Sequence, residues 1–323
     1  MGKSILFRSL VTIAIGIIIV IYFSPIWWVS LKAPNYPPEA FPDGIRIHFH
    51  IDGVFNGCSK RETEEIYVGE GLNCLHEMDT INHYVGMYPT ASGGIIERTL
   101  SQFLFCFLIV LLIAFMMSGR KLQASVLTIG FSIIIAWSYV TLYTPGGVKY
   151  MSAGYQQALQ TSMDMETDEF KDWNGIQAMQ ENYQDSLGMY FRDDIKISQQ
   201  TDTLLTAFNI IIGILLFSML SIIAGIVLKN SLFYWLLIII PVCLPVFFIF
   251  EYAGWLWWFG HNLNEMAAFS LKPFMPTVLG DGKVAQFSTH SYPHYGFFLM
   301  MSSSILLMIA GLIRKRQLRL ANS

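Results

Sequence analysis

The sequence predicts an α-helical polytopic membrane protein, and two observations support this fold class. Of the 323 residues, 54% are hydrophobic and only 13% are charged, whereas a soluble domain carries about 25% charged residues. The apolar residues also form long runs, and the mean hydropathy is +0.48. This composition excludes a soluble globular protein, a disordered chain and a nucleic-acid-binding protein with a basic face.

Six apolar runs are long enough to cross a bilayer. A hydrocarbon core of about 30 Å requires about 20 residues in a helix, because helical hydrogen bonds satisfy the backbone inside the segment. The qualifying runs are residues 10–26, 100–117, 122–142, 204–228, 232–250 and 295–313. We therefore expect membrane segments at 1–26, 100–142, 204–250 and 295–323, separated by polar segments at 27–99, 143–203 and 251–294.

The distribution of charge predicts the orientation. The short connectors and both termini contain Lys and Arg but neither Asp nor Glu, and all seven histidines lie in the polar segments. The positive-inside rule then places both termini in the cytoplasm and the three polar segments outside. We expect a multi-pass protein of the bacterial inner membrane, with a mixed periplasmic domain built from three loops that include one short β-strand region.

The interior of the predicted spans contains few ionisable residues. Glu251 lies at the outer end of the fifth span, and Arg8 lies near the inner end of the first. Proton pumps, ion-coupled transporters and b-type haem proteins normally need ionisable or ligating side chains deep in the membrane, so the sequence argues against them. Pro241 and Pro245 predict a kink in the fifth span.

The first polar segment contains the clearest strand pattern. Between residues 45 and 52, apolar residues alternate with Arg46, His48, His50 and Asp52, which is the period of a half-buried strand. His48 and His50 would project from one face about 7 Å apart. At that spacing two imidazoles can bind one metal ion, with Asp52 as an orienting group or a further ligand. The alternative is a solvated polar face.

Two cysteines of the same segment allow two interpretations. An oxidising compartment favours a disulfide between Cys58 and Cys74, which would close a loop of about 17 residues. Alternatively, Cys74 is a thiolate ligand in a region rich in soft ligands, a composition that suits copper. The other candidate ligands of this region are His76, Met78, His83 and Met87.

The other two polar segments differ in composition. Residues 143–203 combine acids with scattered Met and predict short amphipathic helices, which would serve as a solvated surface, a docking face or a copper buffer. Residues 251–294 place His261, His290 and His294 near the outer ends of the fifth and sixth spans. If those ends are neighbours, these histidines and Glu251 would gather in one site.

Two blocks of the chain resemble a known family. The first block comprises residues 27–37, which begin with two tryptophans after the first span, and residues 81–87, which read Ile-Asn-His-Tyr-Val-Gly-Met. The second block comprises residues 260–263, 273–280 and 286–293. These blocks resemble small integral membrane proteins encoded in bacterial nitrous-oxide-reductase (nos) gene clusters. The resemblance implies a role beside a periplasmic copper enzyme. His83, Met87 and His261 are the positions of this chain that match the motifs of that family. The His-x-His strand, the cysteine loop and the acidic second segment have no counterpart in it.

These observations favour a membrane-anchored periplasmic factor that handles a metal, with copper expected, or matures a copper or redox enzyme. The chain lacks C-x-x-C-H, Walker, G-x-S-x-G and H-E-x-x-H motifs, so we favour a non-enzymatic role. The expected partners are that enzyme and the lipid bilayer, without nucleic acid. The alternatives are a subunit of a membrane-bound metalloenzyme or redox complex, and a metal-free docking scaffold.

Overall fold

A computed structural model describes residues 2–39, 41–58, 73–284 and 286–322 of the chain. It is mostly helical, with a small antiparallel sheet at one end of a helix bundle. The helices are α1 (Gly2–Tyr22), α2 (Cys74–Tyr84), α3 (Ile95–Met116), α4 (Arg120–Tyr143), α5 (Ala153–Met163), α6 (Thr167–Phe170), α7 (Gly175–Gly188), α8 (Asp194–Val227), α9 (Ser231–Val242), α10 (Leu244–His261) and α11 (Tyr295–Asn322). The strands are β1 (Trp27–Lys32), β2 (Ile45–Phe49), β3 (Val54–Asn56), β4 (Gly280–Val284) and β5 (Phe287–Pro293).

Five described helices are apolar and long enough to cross a bilayer, namely α1, α3, α4, α8 and α11. The pair α9 and α10 makes a sixth crossing if it is one span, although the two helices are bent by 60° at their junction. Pro241 lies inside the end of α9, and Pro245 lies in the first turn of α10. Because proline lacks an amide hydrogen and its ring clashes with the preceding turn, the expected kink is a full break.

The helix α3 lies at the centre of the bundle. It contacts α1, α4 and α9, and it is the most buried of the candidate spans. The first and last helices, α1 and α11, pack along each other. The hairpin of α8 and α9 is very close at Gly225, where a Cβ atom would lie 2.1 Å from the ring of Phe233. Small residues permit such close contact between helices in a membrane.

The five strands form one sheet in the order β3-β2-β1-β5-β4. Strand β1 follows α1 after a short turn, and β5 leads directly into α11. Their antiparallel pairing, from Trp27 opposite Pro293 to Lys32 opposite Ser288, joins the ends of the first and last helices. The sheet therefore extends beyond the single strand region that the sequence predicts, because it recruits strands from the segment 251–294.

A buried polar contact fixes this junction. The indole N–H of Trp27 donates a hydrogen bond to the Ser291 hydroxyl (2.8 Å), and that hydroxyl donates to the carbonyl of Val278 (2.8 Å). The hydroxyl of Tyr252, from α10, lies 3.2 Å from the same oxygen. Trp27 and Ser291 are 1% and 0% exposed, so β1, β5 and α10 meet at one fully buried serine.

The alternating segment 45–52 forms a strand only over its first part. Ile45 and Ile47 are buried in β2, as the alternation predicts. The strand ends at Phe49, and the His50 N–H donates to the Gly53 carbonyl (2.9 Å) in the turn that follows. His50 nevertheless stays on the face of His48, since its ring packs against Phe55, which pairs with His48 across the sheet.

A second set of elements packs beside the sheet. Cys58 and Cys74 form a disulfide with a Cα–Cα distance of 6.0 Å, which links the end of β3 to the start of α2. A disulfide sulfur is not a thiolate, so the alternative of metal ligation by Cys74 does not hold in this structure. Helix α7 packs on α3, where the buried Arg98 donates a hydrogen bond to the Asn182 side chain (3.0 Å).

Candidate functional site

His48 and His294 meet on the sheet face opposite the buried one. His48 pairs with Trp28 in the sheet, and His294 follows the last residue of β5. Their ring centroids are 5.1 Å apart. The Tyr295 N–H donates to Nδ1 of His294 (2.9 Å), which assigns the proton of the neutral His294 ring to Nε2. His48 Nε2 is buried and has no hydrogen-bond partner among the described residues, so this nitrogen is not engaged by the protein.

Both residues of the His-x-His motif are held in the neutral form. Burial, followed by the effects of His294 and Arg46, lowers the pKa of His48 to about 4. Burial also lowers the pKa of His50 to about 4, with smaller effects of His48 and His294. The guanidinium of Arg46 lies 4.0 Å from the ring centroid of Trp28. The histidines are therefore uncharged at neutral pH, but a cation lies beside them.

Asp52 does not join the histidines around a common point. The His50 ring packs against Phe55 (centroids 4.9 Å apart). The Asp52 carboxylate accepts a hydrogen bond from the Ser152 hydroxyl (2.8 Å), which is the N-cap of α5. Asp52 thus attaches the turn after β2 to α5.

The other predicted ligands lie at separate places. His83 stacks on Tyr190 (5.2 Å), and His76 Nδ1 lies 3.5 Å from the Tyr190 hydroxyl. Met78 and Met87 are buried in the apolar core, His261 stacks on Trp257, and His290 pairs with Asp281 (2.6 Å). Across the described ranges, no three His, Cys, Asp or Glu side chains are grouped so that they could hold a metal ion.

A cavity of about 460 Å³ lies between α3 and the broken pair α9–α10. This volume is within the range of small-molecule sites, about 300–1,000 Å³. On α3 the lining extends from Glu97 to Leu108, which at 1.5 Å per residue is about 16 Å. The cavity therefore reaches about half-way through a hydrocarbon core of roughly 30 Å.

Polar groups lie only at the end of the cavity next to the sheet. Glu97 of α3 and Glu251 of α10 both line it there, together with Arg98, Ser101 and His50. The indole N–H of Trp255 donates a hydrogen bond to Glu97 (3.2 Å). The described residues provide no hydrogen bond or ion pair to Glu251, and its charged neighbour is Glu97.

The deeper part of the cavity is hydrocarbon-lined and open at the helix break. Its wall there consists of aliphatic and aromatic side chains of α3, α9 and α10, together with Cys243 at the junction. Ile239 and Phe247, on either side of that junction, are 45% and 57% exposed, and Cys243 is exposed as well. The side chains at this opening are apolar and exposed, which suits contact with lipid if the pair α9–α10 is one span.

The sequence indicated only one of the two glutamates of this site, Glu251. Glu251 lies at the end of a predicted span, but Glu97 precedes the predicted start of the second span and resembles an ordinary loop acid. The available signal was the combination of two prolines in one span with acids at neighbouring span ends, since broken helices often border binding sites in membrane proteins. Comparisons with protein-family models, curated proteins and solved structures found no match to this chain.

Proposed function

We propose that the protein binds an amphiphile from the membrane leaflet next to its extramembrane domain. The observation that carries the proposal is the polarity of the cavity along its depth. The carboxyl groups of Glu97 and Glu251 lie at the domain end, and hydrocarbon lines the remainder. An amphiphile in that leaflet has the same order, with its head at the interface and its chain below. The opening at the helix break provides a route from the lipid.

A native thiol provides the test. Cys243 lines the cavity, whereas Cys106 is half-buried outside it. In lipid nanodiscs, alkylation of Cys243 by a membrane-permeant maleimide is measured in the C106S variant, with and without a dodecyl amphiphile. C243S provides the Cys106 control. We expect the amphiphile to slow labelling of Cys243 and to leave Cys106 unchanged; equal slowing at both thiols, or at neither, would contradict the proposal.

A matched pair of variants tests whether the alkyl chain of the amphiphile occupies this cavity. Leu104 lines the deeper cavity, and Ile109 is on the same helix outside it. Leu104→Trp should fill the space and abolish the protection of Cys243 by the amphiphile. Ile109→Trp adds the same bulk elsewhere and should retain it. If both variants behave alike, the amphiphile does not occupy this cavity.

A second candidate function is copper handling at the histidine pair, beside the copper enzyme that the nos-cluster resemblance implies. It is favoured by His48 Nε2, a buried imidazole nitrogen without a partner among the described residues, since imidazole is a common copper ligand. The nearby Arg46 opposes a divalent ion more than a monovalent one, so Cu(I) is the expected cargo. His48→Ala should abolish Cu(I) binding in a competition titration, and the exposed, distant His261→Ala should not. Unchanged binding in His48→Ala would exclude this site.

A further inference from the structure

The head-group end of the cavity has more acidic than basic side chains. Two carboxyl groups, of Glu97 and Glu251, face one guanidinium, that of Arg98, and this guanidinium already donates to Asn182. The N-terminus of α3, close to these groups, contributes about half a positive charge. His50, the other basic group of the lining, is held neutral because burial lowers its pKa to about 4. Carboxyl groups therefore outnumber cationic groups at this end.

The position of Glu251 separates it from an ordinary capping acid. Its Oε1 lies 3.6 Å from the place that a Cβ atom of Gly94, the N-cap of α3, would occupy. This brings Glu251 close to the start of α3, yet it receives no hydrogen bond from the described residues. This half-buried carboxyl group borders the cavity and accepts no hydrogen bond from the described residues. Because such a group is costly to bury alone, a ligand that supplies a donor or a positive charge would be stabilised there.

Aromatic side chains complete this end of the cavity. Tyr252, Trp255 and Phe259 of α10 line it on one side, and Phe49 lines it from the sheet. The faces of such rings attract ammonium groups, and carboxylates add charge-assisted contacts. This combination of rings and acids discriminates against an anionic head and gives a neutral head little to bind.

From this geometry we infer that the amphiphile bound in the cavity carries a single positive charge on its head, as an ammonium group does, with Glu251 as its principal partner. The inference rests on the proposed function, because the chain of the same molecule occupies the hydrocarbon part. Glu97 is held by Trp255 and acts as the second carboxyl group. Arg98 remains with Asn182, so Glu251 is the acidic group left for a single positive charge on the head.

The experiment compares three probes with the same dodecyl chain. Dodecylammonium, dodecanol and dodecyl sulfate are titrated against the protection of Cys243 in nanodiscs. We expect half-protection by the cation at a concentration about tenfold lower than by the alcohol, the factor that one hydrogen bond or contact to a charged group supplies. The sulfate should be the weakest. This comparison uses the unmodified carboxyl groups and does not depend on the folding of a variant.

The assignment of Glu251 is tested with matched amides. Glu251→Gln should reduce the preference for the cation over the alcohol to near unity. Glu265→Gln removes the same charge from an exposed residue that does not line the cavity and should leave the preference intact. A loss of preference in Glu265→Gln as well would indicate a general surface potential and overturn the assignment.

The outcomes separate the two proposals. If no probe protects Cys243, the proposed function fails. If all three probes protect Cys243 equally, the cavity binds an alkyl chain but the inference about the head group is wrong. If dodecyl sulfate protects best, Arg98 rather than Glu251 selects the head, which overturns the inference while the amphiphile site stands.

Discussion

The buried hydroxyl of Ser291 should make an unusually large contribution to stability for a serine. It contacts three polar groups, from Trp27, Tyr252 and Val278, in a region where water does not enter. Ser291→Ala removes these contacts and leaves the indole N–H and the tyrosine hydroxyl buried without this partner. With about 1–3 kcal/mol for each of these two buried groups left without a partner, we expect a loss of about 2–6 kcal/mol.

The measurement is reversible unfolding by SDS in mixed micelles, followed by near-ultraviolet circular dichroism. Tyr252→Phe is the control, because it removes one contact and leaves Ser291 bonded to Trp27 and Val278; its expected cost is about 1 kcal/mol. If Ser291→Ala changes the free energy of unfolding by less than about 0.5 kcal/mol, the hydroxyl does not hold the strands and α10 together. The reasoning about this junction would then be refuted.

Three further predictions concern other parts of the molecule. Replacing both Cys58 and Cys74 by serine should destabilise the extramembrane domain by about 3 kcal/mol, the chain-entropy value for a loop of this length, and raise its rate of proteolysis; an unchanged rate would argue against a stabilising bridge. Burial raises the pKa of Asp79 to about 7, above the unfolded value of about 3.9. The folded state thus holds the proton more tightly, and stability should fall as the pH rises from about 4 to 7; Asp79→Asn should remove this dependence in hydrogen exchange of α2. Gly225→Ala should cost about 1–3 kcal/mol by forcing apart α8 and α9, whereas Gly213→Ala, on the same helix with open space around it, should not destabilise in the SDS assay.

The spans and the first part of β2 could be predicted because their patterns are local. An apolar run or an alternation such as Ile45–Phe49 reports its environment within a few residues. Strand β1 could not be predicted in this way, because its partner β5 is more than 250 residues away and its first residues, two tryptophans, resemble an interfacial belt. The pairing depends on α1 lying next to α11, which no short window of sequence contains.

For the same reason, the candidate site could be predicted only in part from the sequence. Two prolines predicted a bend, but the angle between α9 and α10, and hence the cavity, depends on how α10 packs against α11 and the sheet. The spacing of His48 and His50 predicted a common face, and both lie on the face of Phe55 although the strand ends between them. Where a strand ends depends on its neighbours, and here β3 pairs only as far as Phe49.

The pairing of β1 with β5 also has a consequence for biosynthesis. Strand β1 is made shortly after the first span, but its central partner is completed only when residue 293 has been synthesised. Until then β1 has an open edge, the kind of edge that recruits other chains. A chain that stops before residue 287 would contain every helix except α11 and yet lack the strand that closes the sheet. Quality control of this protein should therefore act on its last forty residues, since their arrival completes both the sheet and the bundle.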